Sequence, residues 1–180
     1  MRWANCRCLF ILVAASSVCV LGMERETEPS WGDEVEGCRF SASSPVAVYA
    51  PAQPIPLRLR LKNDGKAAVA FFQTDIMQSV RFDVRLPNGM AAPMTLEGKR
   101  QSESGENVSV TLEPGKSDDL GVSAVNRYFD MTMNGDYTVT VTRFVQLRDG
   151  SERSVKVVSN SCKITVREEG PDPEEAKKAK

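Results

Sequence analysis

The chain is predicted to be all-β: an antiparallel sandwich of two sheets, with about eight or nine strands over residues 38–167. Three observations predict this. Several runs alternate apolar and polar residues with a period of two, the spacing that gives a strand one buried and one solvated face. Turn residues recur about every 8–12 positions between those runs. No stretch carries a helical period.

The domain opens at Cys38. Phe40, Val46, Val48 and Tyr49 fall in short apolar pieces broken by serines and Pro45, the pattern of an edge strand. Pro51, Pro54 and Pro56 flank the entry to the clearest strand, where Ile55, Leu57, Leu59 and Leu61 alternate with Arg58, Arg60 and Lys62. Asn63-Asp64-Gly65-Lys66 predicts a hairpin turn, with Ala67 to Phe72 as the return strand. Val80, Phe82, Val84 and Leu86 form the next alternating run. Pro87-Asn88-Gly89 turns it, and Met90 to Leu96 is expected as a short partner strand. Lys99 to Glu106 is polar, with Gly98 before it and Gly105 within it, which predicts an exposed loop. Val108, Val110 and Leu112 make a strand stopped by Glu113-Pro114-Gly115-Lys116; Leu120 and Val122 make another.

Met133-Asn134-Gly135-Asp136 is a turn, because Asn and Gly tolerate positive φ. A strand follows at once, with Tyr137, Val139 and Val141 on one face and Thr138, Thr140 and Thr142 on the other. A glycine turn that delivers a tyrosine into such a strand resembles the tyrosine corner of immunoglobulin-like sandwiches. There the buried ring bonds through its hydroxyl to backbone a few residues upstream. Tyr137 is therefore expected as a structural tyrosine corner. The strand continues through Phe144 to Leu147, Arg148-Asp149-Gly150-Ser151 turns it, and Val155 to Val158 returns. After an interruption at Ser159-Asn160-Ser161, Cys162, Ile164 and Val166 close the domain.

Residues 1–22 have the form of a cleaved secretory signal: Arg2 and Arg7 precede an uncharged run to Leu21, too short for a membrane span. Residues 23–37 hold six acids and few apolar anchors, which predicts a flexible acidic leader. Residues 168–180 are predicted to be a disordered charged tail. Removing the signal takes the net charge from −1 to −3, which argues against nucleic acid or anionic membrane as a partner. Cys38 and Cys162 are the two cysteines outside the signal. In an exported chain they predict one disulfide tying the first strand to the last; the alternative is two buried free thiols.

The chain contains no histidine. That excludes a Ser-His-Asp or Cys-His site within it and removes the commonest zinc ligand. Asp64, Asp118, Asp119 and Asp136 are the remaining candidates for calcium or acid–base work, but each sits in turn chemistry and none has EF-hand spacing. Arg58, Arg60 and Lys62 with Arg81 and Arg85 make either a basic stripe or an ordinary solvated face, the latter favoured. Asn107-Val108-Ser109 is a glycosylation sequon, of consequence only in a eukaryotic source.

The pieces IPLRLRLKNDGKAAVAF, RFDVRLPNG, VTLEPGKSDDL and NGDYTVTVT, over roughly residues 55–145, resemble BsuPI-type proteinase inhibitor domains. The resemblance implies an immunoglobulin-like fold and raises proteinase inhibition as an alternative function. The expected function is a non-catalytic binding module, secreted or periplasmic, recognising a protein or a surface glycan. No enzyme activity, cofactor, nucleic acid or membrane span after signal removal is expected. The expected binding surfaces are the 98–106 loop and the 73–79 connection, with Ile76 and Met77 exposed.

Overall fold

Two sheets face each other in the computed structural model, which describes residues 29–103, 108–122, 124–151 and 153–168. The ten strands among them are β1 (Cys38–Ser43), β2 (Val48–Tyr49), β3 (Leu57–Asn63), β4 (Val69–Gln73), β5 (Arg81–Arg85), β6 (Val108–Leu112), β7 (Ser117–Val122), β8 (Gly135–Leu147), β9 (Ser154–Val158) and β10 (Cys162–Val166). The first sheet runs β1-β3-β7. The second runs β2-β10-β8-β4-β6, with β5 and β9 also paired to β8. Every ladder is antiparallel except the two-residue pairing of β2 with β10. The fold is the predicted antiparallel, immunoglobulin-like sandwich. The predicted signal (1–22), the start of the leader (23–28), the sequon's Asn107 and residues 169–180 of the tail lie outside the described residues.

The long strand β8 is the spine. One of its edges pairs first with β10 and then with β9; the other pairs with β5 and then with β4. Its inward residues meet Phe40, Leu59, Leu61 and Ile164 in a core that leaves none of these accessible. Burying one such side chain stabilises by about 1.5–3 kcal/mol relative to leaving it exposed.

The turn at Asn63 is not a hairpin. β4 pairs with β6 and β8, so the chain crosses from one sheet to the other there. Fully buried Asn63 explains the crossing. Its Nδ2 donates to the carbonyls of Ala67 and Leu112, and its Oδ1 accepts from the Gly65 N–H. Its backbone bonds the turn between β6 and β7 through Gly115 and Lys116. One amide thus takes the place of ladder partners at a sandwich corner.

Two α-helical segments, α1 (Ile76–Ser79) and α2 (Leu96–Glu103), and a 3-10 turn at Val125–Arg127 interrupt the strands among the described residues. The helix α2 replaces much of the predicted loop. Thr95 caps it, its hydroxyl oxygen accepting from the Gly98 N–H, and Glu97 lies in the first turn. Gly98 is there for close approach: a Cβ would stand 2.4 Å from the Tyr128 carbonyl oxygen. The expected strand over 90–96 is reduced to single bridges at Ala91 and Met94. Residues 29–37, expected to be flexible, run against the domain. The Gly32 N–H donates to the Phe40 carbonyl, and a Cβ at Gly32 would meet the Val158 carbonyl oxygen at 2.1 Å.

Candidate interaction surface

The expected disulfide is absent: Cys38 and Cys162 are both buried free thiols. Geometry gives the reason. Cys38 opens β1 facing Asp64, whereas Cys162 faces the Ser44 backbone just past the other end of β1. A strand of that length separates them by on the order of 20 Å. A disulfide needs Cα atoms within about 7 Å. Burial, with the carboxylates of Asp64, Glu34 and Glu36, pushes the Cys38 thiol up to about 11, and burial also raises Cys162.

The carboxylates singled out in the sequence are dispersed into pairs. Asp119 holds Arg60 at 2.6 Å, Asp64 holds Lys62 at 2.9 Å, and Asp136 accepts from the Thr165 hydroxyl at 2.7 Å. Among the described residues no three His, Cys, Asp or Glu groups are placed to hold a metal. The basic residues do not form one stripe either, because Arg58, Arg60 and Lys62 stand on β3 in one sheet and Arg81 and Arg85 on β5 in the other.

The described parts of the two expected binding segments come together, since α1 and α2 pack side by side; residues 104–106 lie outside the described residues. They do not offer the expected apolar anchors. Ile76 and Met77 turn inward and pack against the core. The Tyr137 ring is fully buried, and its hydroxyl donates to the Met133 carbonyl at 2.8 Å. Desolvation raises the pKa of the phenol.

A second constellation has Arg143 at its centre. The strand parity that puts Tyr137 inside also puts Arg143 inside, three residue pairs further on. Its side chain is wholly inaccessible. The guanidinium lies over the Phe71 ring, 3.8 Å from its centroid, and Nη1 reaches Asp118 at 3.4 Å. Nε and Nη2 have no hydrogen-bond partner among the described residues. Burial pushes this guanidinium down to about 10, against the opposing pull of Asp118. The next residue, Phe144, points outward and is 45% exposed. Beside it Phe72 is 62% exposed. The β4–β8 ladder ends at Ala70 and Gln146, and just past that end Phe72 and Phe144 line one groove. Arg81 stacks on the Phe144 ring at 5.3 Å. A shallow groove of about 320 Å³ runs between the rings, with Ser109 and Gln146 in its walls. Parity was the signal in the sequence for both residues: counting by twos from Tyr137 gives a buried arginine and an exposed phenylalanine.

Apolar side chains are also exposed on the chain between β5 and β8, at Met90, Met94, Leu96 and Met133. A groove of about 550 Å³ there is lined by Pro54, Met94, Phe129 and Met131 among others. Among the described residues no helix is long and apolar enough to cross a membrane.

No curated protein matches the chain. Solved structures with related architecture include the CARDB domain of a Pyrococcus furiosus protein, at 14% identity and TM-score 0.35, covering 74% of this chain and 97% of that one. The C-terminal domain of wzt matches at 10% identity and TM-score 0.41, covering 78% and 82%. A PapD-like domain of human CEP192 matches at 12% identity and TM-score 0.38, covering 82% and 97%. At these scores the fold assignment rests on the sheet topology itself. The family that matches is not the BsuPI-type one that the turns resemble. Residues 46–167 fit the model of the flagellar collar protein C N-terminal domain, and the chain belongs to that family.

Proposed function

We propose that this domain is a non-catalytic protein-interaction module of a flagellar collar in the cell envelope, and that it docks a protein partner on the outer face of the β8 sheet at Phe72, Phe144 and Arg81. The single observation that carries the reading is the exposed pair Phe72 and Phe144, each next in sequence to a member of the buried Phe71–Arg143 stack. Two aromatic rings with a stacked arginine have the composition of an interface hot spot. Strands hold them in fixed geometry, so little side-chain freedom is lost on binding. The family supplies the setting, because its name is that of a flagellar structural protein. The secretory signal expected over residues 1–22 is consistent with an envelope location. The glycan and proteinase-inhibitor readings draw no support from that family.

The test is affinity capture from envelope extract of the natural host with the purified chain as bait. Flagellar structural proteins should be retained by the wild type. Their absence from the retained fraction, or turnover of any substrate by the purified chain, would overturn the proposal.

A further inference from the structure

Sheet edges expose unpaired N–H and C=O groups, and proteins normally blunt them. Most edges here are blunted. The free side of β1 is clasped by Asn160, whose side-chain amide accepts from the Ala42 N–H at 2.8 Å and donates to the Ala42 carbonyl at 3.0 Å. Gly32 and Ser159 cover Phe40 on the same side. The β7 edge carries Asp118 and Asp119, both held in ion pairs. β2 is two residues long, with Pro45 and Pro51 nearby. β5 bears Arg81, Asp83 and Arg85, and Ala91 and Ala92 bond its far side.

β6 differs. It ends the order of its sheet, pairing with β4 alone among the described residues. Its sequence Val108-Ser109-Val110-Thr111-Leu112 has no charge and no proline. It is also self-complementary. An antiparallel copy centred on Val110 would set Val110 against Val110, Val108 against Leu112 and Ser109 against Thr111. Apolar residues then meet apolar ones on the inner face, and hydroxyls meet hydroxyls on the outer face, with no like charges opposed. Val108 is already exposed at this edge.

We propose that the occupant of this edge is a second copy of the chain. Two β6 strands pair antiparallel about a two-fold axis through Val110, perpendicular to the sheet, and join two seven-stranded sheets into one. Such an isologous contact is the commonest way to close a homodimer. The axis keeps both outer faces on the same side, so the two Phe72–Phe144 pairs lie on one continuous surface. The dimer requires no flagellar partner, so its test is separate from that of the docking reading.

The test is the mass of the purified chain by sedimentation equilibrium over a range of concentrations. The wild type should fit a monomer–dimer equilibrium. Ser109→Lys combined with Thr111→Lys brings lysines together across the axis and should leave only monomer. Ser109→Lys combined with Thr111→Glu sets each introduced lysine against an introduced glutamate and should restore the dimer. Both positions are exposed, and circular dichroism checks that both variants fold. A second measurement avoids added charge: Val110→Cys should form a covalent dimer on mild oxidation. A wild type that stays monomeric throughout, or two double variants of identical mass distribution, would overturn the proposal.

Discussion

From Gly135 to Thr142, β8 buries Tyr137, Val139 and Val141 and turns threonines outward. From Arg143 to Leu147 the same strand buries a guanidinium and leaves a phenyl ring in solvent. The first half is satisfied: the Tyr137 hydroxyl has its carbonyl partner, and the ring fills the core. The second half is inverted. Among the described residues Arg143 Nε and Nη2 have no hydrogen-bond partner, and Phe144 forgoes burial. Native chains break local rules mainly where function or strain demands it. On the proposed function, the first half of β8 holds the fold, and Arg143 and Phe144 mark the half that presents a surface, although Val145 and Leu147 there are still core residues.

The largest effect is expected in the first half. Tyr137→Ala empties a fully buried site and should cost about 3–5 kcal/mol in chemical denaturation. An unchanged midpoint would remove the corner from the account. Asp118→Ala should come next, at about 2–4 kcal/mol, because it leaves the buried Arg143 charge without its counter-ion. The value falls below that of a fully enclosed pair since Asp118 is itself partly exposed. Arg143→Met tests the inversion from the other side. A buried charge with unmet donors is often replaced without loss, so stability should hold or rise by about 1 kcal/mol. A loss comparable to that of Tyr137→Ala would mean that both halves are built alike.

The alternation in β3 and β8 and the glycine turn before Tyr137 carried most of the fold, because a half-buried strand writes its two faces directly into the sequence. What stayed hidden depended on distant partners. Asn63-Asp64-Gly65 has hairpin chemistry, yet Asn63 reaches Leu112 far along the chain and turns the corner instead. Gly98 reads as a loop residue because the Tyr128 carbonyl that demands it lies elsewhere in the sequence. Two cysteines near the domain's termini point to a disulfide in the sequence, but they lie at opposite ends of β1. Of the candidate site, Phe144 and Arg143 were legible by parity alone, whereas the approach of Phe72 required the β4–β8 register.

A smaller effect sharpens the comparison through the thiols. Cys162 stands opposite Val139 in the satisfied half. Neither cysteine should react with a thiol reagent in the native state at pH 8, and both should react once unfolded. The Cys38 thiol is pushed up to about 11 from 9.0. A thiol with a raised pKa favours the folded state below pH 9, and that contribution fades as pH climbs from 9 towards 11. Stability over that window should therefore fall less steeply in Cys38→Ala than in the wild type. Equal slopes would show that the thiol is not shielded.

The most direct test of the inversion takes Phe72→Ser with Phe144→Ser and measures two things on the same sample. Denaturation should shift by less than about 1 kcal/mol, since surface substitutions seldom do more. Capture of flagellar structural proteins from envelope extract should be lost. A loss of several kcal/mol, or capture at the wild-type level, would contradict the claim that this half of β8 serves a partner rather than the fold.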